Sequence, residues 1–563
     1  MQNEMIKNKM LTAMVLAGIL SAGFGVASAA EAPTAGSTMR EIKETKLNMP
    51  IQRKPEVEIT DKEKVSWPID DQVKIKVNGF RLNGQDVLSQ TQVDNLLKDK
   101  IGKELTFKEL REAANTITKY LQDKDYRVAK VYLPAQRIGK GIVNLTAVVG
   151  KYDQILVQND SKIDDDQIKR QIVRLKPGNY IKRSEIERGV WLISDLAAAD
   201  SKVTIAPGSK PGTSNVTFVV HKHKGPVGSV FVDNYGNRYT GRNELGVNYN
   251  WLNPAHEGDT LAISGLTTGS GKNNGDLTYY IPFDEDGNQL EIGYSHLHYI
   301  LGNEYDASDS YGTSDTVHAA WRYAIRRSSR NNQYVRLGFE WSKLEDNKNG
   351  ELYSDKKDTG MTLSLFGDEI DRKGYSSYDF TYKWGSLGLD NDYAADLDAS
   401  GPQTSGSFHK LSTRLLRQQT LDPRSYILLS LRGQLANKNL DSYEKLELGG
   451  AYGVRAYPQG EASGDVGYVA SAEYRYLIPI KGHPDQSLQL AAFVDGGSIW
   501  ANKDVYYDST NVRHLYGYGI GALWGRTDDW LLRVSYGWKL GHESYQSTPD
   551  SNGMLWLQAV KYF

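Results

Sequence analysis

Several side chains are spaced so that they could bind an ion, and they define the chemistry that this chain could perform. His221 and His223 are two residues apart, as are His296 and His298, so each pair would share one face of a β-strand. Two imidazoles on one face can contribute to a transition-metal site. Because a third ligand is not evident near either pair, we interpret them as histidines that face solvent or a channel.

Two clusters of charged residues also allow more than one interpretation. Arg326, Arg327 and Arg330 form a small basic group near a predicted strand. We interpret this group as a solvated turn, with a channel lining or a contact with lipid head groups as the alternative. The three carboxylates at 164–166 are expected to begin a helix, because the helix dipole favours negative charge there; calcium binding is the alternative.

Groups that could carry out catalysis are not evident. The sequence has no supported Ser, His and Asp order, no supported pair of carboxylates and no Gly-x-x-x-x-Gly-Lys-Ser/Thr nucleotide loop. Cysteine is absent, which excludes disulfides, thiolate chemistry and Cys-ligated zinc. The sequence therefore predicts no catalytic residue, no metal site and no cofactor, and an enzyme is not expected.

Composition narrows the class of protein. The 563 residues include 67 Lys and Arg against 69 Asp and Glu, and this balance argues against a general nucleic-acid binder. The mean hydropathy is −0.53, and no apolar run after residue 30 is long enough for a transmembrane helix. The 35 Tyr and 54 Gly residues are typical of an outer-membrane β-barrel, with a secreted β-solenoid as the compositional alternative.

The first 29 residues have the three parts of a secretory signal peptide. Lys7 and Lys9 precede an apolar stretch over residues 10–26, and small residues at 27–29 offer a cleavage site. A buried N-terminal helix is the alternative. We therefore expect an exported protein whose mature chain starts at Ala30.

Residues 30–70 are polar and contain scattered prolines, and we expect one short helix followed by a linker. Thr38 and Glu41 have the spacing of a capping box, and Met39 and Ile42 would share one side of the helix. This helix would end before Pro50.

Residues 71–150 and 151–224 resemble two copies of one small α/β unit with the order β-α-α-β-β. In the first unit we expect strands at 73–77, 128–133 and 142–149. We also expect a helix with Val93, Leu96 and Leu97 on one face, and a second helix that opens with a capping box at Thr106 and Glu109. In the second unit we expect strands at 155–157, 202–205 and 215–220. Its helices are expected at 167–175 and from a capping box at Ser184 and Glu187 to residue 196.

Residues 225–563 alternate between apolar and polar positions with period two. Over residues 530–540 the apolar side is half aromatic, whereas Arg533 and Lys539 lie on the other side and require a wet lumen. At roughly 20 residues for each strand and its loops, the region makes about 16 antiparallel strands of an all-β transmembrane barrel. A soluble sandwich is the alternative. The chain ends on an aromatic residue, Phe563, as outer-membrane barrels do, although Lys561 departs from that pattern.

Five groups of short motifs follow one another along nearly the whole chain. They are 33–41; 131–136 with 141–145; 233–236 with 240–241, 253–254 and 258–259; 449–457 (Gly-Gly-Ala-Tyr-Gly-Val-Arg-Ala-Tyr); and 493–497 (Phe-Val-Asp-Gly-Gly). In this order and spacing they resemble the two-partner secretion transporters, the haemolysin secretion/activation family of outer-membrane proteins in the Omp85 superfamily. The resemblance implies a 16-stranded barrel preceded by two POTRA domains and a short plug helix.

The resemblance also implies roles for individual residues. The plug helix would contain Met39, Arg40, Glu41 and Ile42; the tip of the long sixth loop, Val454, Arg455 and Tyr457; and the inner wall, Phe493, Asp495 and Gly497. It implies that Arg455 meets Asp495, a contact that can be bidentate and would hold the loop inside the pore. Two unrelated solvated charges are the alternative. The family usually has Gly where Ala456 stands, and because Ala resists positive φ, we expect a slightly different backbone at the tip.

The function implied by the resemblance is export of one partner protein. The transporter would lie in the outer membrane as a monomer among lipid, with its N-terminal domains in the periplasm and no role for nucleic acid. Open sheet edges in the POTRA domains could capture the unfolded exoprotein by strand addition, although a structural lid is the alternative. The exoprotein would be a β-helical adhesin, haemolysin or contact-dependent toxin. A barrel assembly factor, a passive porin and a surface β-solenoid are the rival functions.

Overall fold

The structure is a computed structural model that describes residues 32–45, 56–59, 73–507 and 510–563, with the backbone alone for residue 45 and for 56–59. The expected signal peptide, residues 1–29, lies outside these residues. Among the helices of the described chain, none is both long and apolar enough to traverse a bilayer.

The N-terminal part of the described chain contains one helix and one short strand. Helix α1 (Ala35–Thr45) begins before the expected capping box, so the assignment of Thr38 and Glu41 as its cap is wrong. Instead, Thr34 bonds a free backbone N–H at the start of the helix: the Ser37 N–H donates to Thr34 Oγ1 at 3.2 Å. Strand β1 (Glu56–Ile59) corrects the expectation that this segment is only a linker.

The first α/β unit packs two helices against a small sheet. Its elements are β2 (Lys74–Lys76), β3 (Gly79–Asn83), α2 (Gln90–Leu96), β4 (Glu104–Thr106), α3 (Phe107–Asp123), β5 (Ala129–Tyr132) and β6 (Ile142–Val149). The sheet has the order β3-β6-β5, and α3 buries Leu110, Ile117 and Leu121 against it. The capping box at Thr106 and Glu109 is confirmed.

The second α/β unit repeats this arrangement. Its elements are β7 (Lys151–Asp160), α4 (Asp165–Arg170), α5 (Arg183–Ser194), β8 (Ala199–Pro207) and β9 (Thr213–Lys222). The sheet has the order β1-β8-β9-β7, with β1 parallel to β8 at one edge. The expected capping box at Ser184 and Glu187 is wrong, because the Ser184 N–H donates to Asp125 at 2.9 Å and α5 starts at Arg183.

The rest of the chain forms a closed barrel of sixteen antiparallel strands, as predicted. They are β10 (Gly228–Asp233), β11 (Glu244–Leu252), β12 (Thr260–Thr267), β13 (Lys272–Pro282), β14 (Gln289–Ile300), β15 (Tyr311–Arg326), β16 (Asn331–Lys348), β17 (Glu351–Ile370), β18 (Gly374–Leu389), β19 (Gly406–Asp422), β20 (Ser425–Ala436), β23 (Val466–Pro479), β24 (Gln486–Trp500), β25 (Val512–Arg526), β26 (Trp530–Lys539) and β27 (Gly553–Tyr562). Strands β10 and β27 pair and close the ring.

Alternation along each strand separates the two faces of the barrel. On β26, Leu532 and Val534 are exposed on the outside, whereas Ser535 is buried inside. Only a closed sheet satisfies all strand backbone groups in lipid, so an exposed apolar exterior is compatible with a membrane.

Short turns lie at the end of the barrel next to the α/β units, and the loops lie at the other end. The sixth loop, residues 437–465, carries the strands β21 (Leu446–Glu447) and β22 (Ser463–Gly464). The eighth loop spans residues 540–552. The other loops contain a 3₁₀ helix (Asn303–Ser308) and helix α6 (Asp392–Ser400).

Candidate functional site

Helix α1 lies inside the barrel, against β14, β15 and β16. Its apolar side chains Ala35, Met39 and Ile42 are buried with Tyr299 and Leu344 of the barrel wall. The two apolar residues expected on one side of this helix therefore do pack together.

Polar contacts fix the helix at both ends. The backbone N–H of Ala35 donates to Asp346, near the loop end of β16, at 2.7 Å. Lys43 Nζ lies 2.8 Å from Glu340 on the same strand, closer to the end that bears the α/β units. The C-terminal end of α1 therefore points toward the α/β units.

The helix also contacts the sixth loop and the first loop. Arg40 donates to the carbonyl of Ser442 at 2.5 Å and lies 3.5 Å from Glu447. Glu41 accepts a bond of 3.1 Å from Asn237. Helix α1 thus fills the space between the wall and the sixth loop.

The structure places Arg455, at the tip of the sixth loop, against Asp495 on β24. The guanidinium donates from Nε and Nη2 to the two carboxylate oxygens at 2.8 Å each, and the Arg455 N–H donates to Oδ2 at 3.1 Å. Nη1 donates to Glu473 at 2.5 Å, and Nη2 to Ser471 at 3.2 Å. The Asp495 side chain is 0% exposed and that of Arg455 14%.

This environment keeps the guanidinium charged. Burial alone would lower the pKa of Arg455, but hydrogen bonds and charge from Asp495, together with Glu473, raise it. The guanidinium carbon also lies 3.3 Å from the centroid of the Phe493 ring, within range of a cation–π contact.

Two glycines allow the loop tip to approach the wall. A Cβ on Gly537 would lie 2.8 Å from the carbonyl carbon of Arg455, and one on Gly517 would lie 2.4 Å from the Ala456 side chain. The indole N–H of Trp556 donates to the Arg455 carbonyl at 2.7 Å. The tip is therefore held by backbone contacts as well as by the ion pair.

The remaining tip residues are buried. Val454, Ala456 and Tyr457 have no exposed surface, and a Cβ on Gly497 would lie 2.5 Å from Leu448 of the same loop. Ala456 does not have positive φ, so the structure accommodates alanine at this position without backbone strain.

The sixth loop is also held by a second contact, which sequence reasoning missed. The buried carboxylate of Glu461 accepts bonds from Arg513 on β25 at 3.0 Å and from Gln546 and Ser547 of the eighth loop. Glu473 and Ser471 were also missed, although both face inward on β23, where Ser471 lies opposite Asp495 and Glu473 opposite Phe493. Period-two alternation on that strand could have identified them.

One histidine of each candidate pair has a carboxylate partner within the protein. His296 Nδ1 lies 2.8 Å from Asp315, and His223 Nδ1 lies 3.1 Å from Asp200. Among the described residues, one group of three carboxylates could hold a metal ion, namely Glu340, Asp358 and Glu444. The ammonium of Lys383 lies 2.9 Å from Asp358 and 2.5 Å from Glu444, so the lysine occupies the middle of this group.

Comparison with known proteins gives two matching families. The family described as "Haemolysin secretion/activation protein ShlB/FhaC/HecB" matches residues 212–523. The family described as "POTRA domain, ShlB-type" matches residues 75–150.

Individual relatives match over most of the chain. The heme/hemopexin transporter protein HuxB of Haemophilus influenzae is 26% identical over 567 residues, covering 98% of this chain and 99% of the relative. The outer membrane transporter CdiB of Dickeya dadantii (strain 3937) is 22% identical and covers 84% of each chain. The solved structure of CdiB from Escherichia coli has the same fold, with a TM-score of 0.70, 19% identity, and coverage of 90% of this chain and 93% of that one.

Proposed function

This chain belongs to the haemolysin secretion/activation family, and from that premise we propose that strand β8 captures the unfolded client and passes it to the barrel. The protein is an outer-membrane transporter of two-partner secretion, which moves a partner exoprotein across the barrel. Its POTRA region lies in the periplasm. The loop end of the barrel is therefore extracellular.

From membership of this family we infer the following domain boundaries. Residues 1–29 are the signal peptide, 30–70 the plug helix and its linker, 71–150 and 151–224 the two POTRA domains, and 225–563 the barrel. The transporter acts as a monomer in lipid, without nucleic acid or catalysis. Its client is an exoprotein of the β-helical adhesin, haemolysin or contact-dependent toxin type.

In the first POTRA domain, side chains bond a backbone group on each edge strand of the three-stranded sheet. Thr118 Oγ1 accepts from the N–H of Val131 on β5 at 2.9 Å. The Gln90 amide donates to the carbonyl of Phe80 on β3 at 2.7 Å. A backbone group that is already bonded is not free to pair with an incoming strand, which makes these edges less favourable for strand addition.

The second POTRA domain has one edge that accepts an extended segment. At the start of β7, the Tyr152 N–H donates to the Asn179 carbonyl at 2.9 Å, so neighbouring chain covers that end of the edge strand. At the opposite edge, β8 pairs with β1 over four residues, from Glu56 opposite Lys202 to Ile59 opposite Ile205. This pairing is the observation that carries the proposal, because main-chain bonds of the same kind would bind a client with little sequence demand.

Opening of the pore requires that α1 leave the barrel interior, since it fills the space between the sixth loop and the wall. Its anchors are an ion pair of Lys43 with Glu340 and hydrogen bonds such as that of Arg40 with the Ser442 carbonyl. The Arg455–Asp495 pair keeps the sixth loop on the opposite wall during this change. The client then follows the route that the helix occupied.

Photo-cross-linking in secreting cells tests capture by β8. A photoreactive residue at Thr204, on β8, should cross-link the partner exoprotein, and replacement of 56–59 by a Gly-Ser segment should increase the yield because the edge is vacated. The same residue at the exposed Leu156, on β7, is the matched control. Cross-linking that favours β7 would contradict the assignment.

Deletion of residues 71–222 tests the role of the POTRA domains as a whole. We expect the barrel to assemble, as shown by heat-dependent migration on gels, while secretion stops. Secretion retained by the assembled deletion variant would show that these domains do not deliver the client.

A further inference from the structure

The second POTRA domain rests on three periplasmic turns of the barrel, at 253–259, 283–288 and 327–330. The Ala197 N–H donates to the Gly258 carbonyl at 2.8 Å. Gln171 donates to the Asp284 carbonyl at 3.0 Å, and Arg188 to the Asp286 carbonyl at 2.7 Å. These contacts are made to main-chain oxygens, which residues of any type in the turns would provide.

Arg327 makes a different kind of contact at the third turn. Its Nε and Nη2 donate to the two oxygens of Asp195 at 2.7 and 2.6 Å, and Nη1 donates to Asn332 at 2.9 Å. The guanidinium lies 4.3 Å from the centroid of the Trp191 ring. A planar, bidentate and stacked arginine fixes orientation in a way that a point charge does not.

The neighbouring arginines lack this role. Arg326 and Arg330 are exposed, and in the part of the chain that the structure describes neither forms an ion pair. Arg174 pairs with Asp286 at the second turn, but its side chain is 57% exposed, where such a pair contributes little. The interpretation of the three arginines as a solvated turn is therefore wrong for Arg327.

Asp195 occupies a place that links this contact to the client-binding strand. It follows α5 directly, and β8 begins four residues later at Ala199. Four extended residues span at most about 14 Å, so the start of β8 is held close to the barrel rim.

We propose that Arg327 is the positioning residue that orients the second POTRA domain on the barrel, so that β8 presents its client at the pore mouth. This inference rests on the proposed function of β8. Arg327 acts through Asp195 and Trp191 and does not itself contact the client. Loss of the pair should leave capture intact and impair transfer into the barrel.

Charge reversal with rescue tests this role. Arg327→Glu and Asp195→Arg should each reduce secretion by roughly tenfold or more, because each leaves a partly buried charge without its partner. The double variant Arg327→Glu/Asp195→Arg should recover a large part of the loss. Arg330→Glu is the matched control and should secrete normally.

A distance measurement separates positioning from general damage. The chain has no cysteine, so spin labels can be attached to Val173→Cys on the second POTRA domain and Thr527→Cys on a periplasmic turn, both exposed. The distance distribution should be narrow in the parent and in Arg330→Glu, broad in each single charge reversal, and narrow again in the double variant. An unchanged distribution with normal secretion in Arg327→Glu would overturn the inference, as would failure of the double variant to recover either property.

Cross-linking at Thr204 distinguishes failure of this inference from failure of the proposed function. Arg327→Glu should retain the cross-link to the exoprotein while secretion falls. If the parent itself gives no cross-link at β8, the capture proposal fails, and β8 is not what Arg327 positions. If the parent cross-links and Arg327→Glu secretes normally, only the role of Arg327 is refuted.

Discussion

The ion pair between Arg455 and Asp495 should be the main attachment of the sixth loop to the barrel wall. Asp495 is fully buried and accepts three bonds from Arg455 and one of 2.7 Å from Ser471. Removal of one partner from a buried, hydrogen-bonded ion pair costs roughly 3–5 kcal/mol. The ratio of detached to attached loop should therefore rise by about a hundredfold to a few thousandfold in Asp495→Ala or Arg455→Met.

The magnitude should depend on which bonds survive. Asp495→Asn keeps an amide oxygen that can accept one bond, so its effect should lie near the lower end of that range. Glu473→Gln should have a smaller effect, because Glu473 receives one bond from Arg455 and also contacts Arg475. Asp485→Asn is the control, since Asp485 is an exposed carboxylate on a periplasmic turn that pairs with Arg526.

A labelling assay measures detachment directly. Ala456 is buried at the loop tip, and a cysteine at this position should react slowly with a maleimide in the otherwise cysteine-free chain. In the Asp495 and Arg455 variants the labelling rate should rise in proportion to the detached fraction, while the barrel stays inserted and secretion is lost. Normal secretion by both single variants would remove the pair from the mechanism, and unchanged labelling would refute the energetic argument.

Three further predictions concern the plug helix and the loop tip. Deletion of α1 (Ala35–Thr45) should increase single-channel conductance in planar bilayers, because the helix fills the barrel interior; unchanged conductance would exclude it as the plug. Burial and the nearby Glu41 raise the pKa of Glu447 to about 8 from its usual 4.5, against the opposing charge of Arg40, so the docked helix favours protonated Glu447. Docking of α1 should then weaken as the pH rises from about 4.5 to about 8. Channel openings should therefore be more frequent at about pH 8.5 than at about pH 6, and Glu447→Gln should abolish this pH dependence. Gly537→Ala should raise labelling of the loop tip and reduce secretion, because its methyl group would meet the loop backbone, while Gly275→Ala, which meets nothing within 4 Å, should have no effect.

The barrel could be predicted from local pattern alone. On β26, apolar residues alternate with polar residues or glycine from Leu532 to Lys539, and the lipid and lumen faces of a barrel impose that same period. The contact between Arg455 and Asp495 was a different kind of prediction. The two residues are forty positions apart, and only the resemblance of both motifs to one family linked them.

Features that depend on distant partners escaped sequence reasoning. Thr38 with Glu41 has the spacing of a capping box, but Glu41 instead accepts a bond from Asn237 inside the barrel. Strand β1 is only four residues long and is defined by its pairing with β8, so no local period marks it. Arg327 looked like a solvated charge because its partner, Asp195, lies in another domain.

The parallel pairing of β1 with β8 has a consequence for the direction of travel. Strand β8 starts beside the barrel and leads away from it, and Glu56, at the amino end of β1, pairs nearer the start of β8 than Ile59 does. A client segment that replaced β1 in the same sense would have its amino-terminal side nearest the membrane. Polarity of the polypeptide would thus be selected before threading begins, and the exoprotein would emerge at the cell surface with its amino-terminal portion leading.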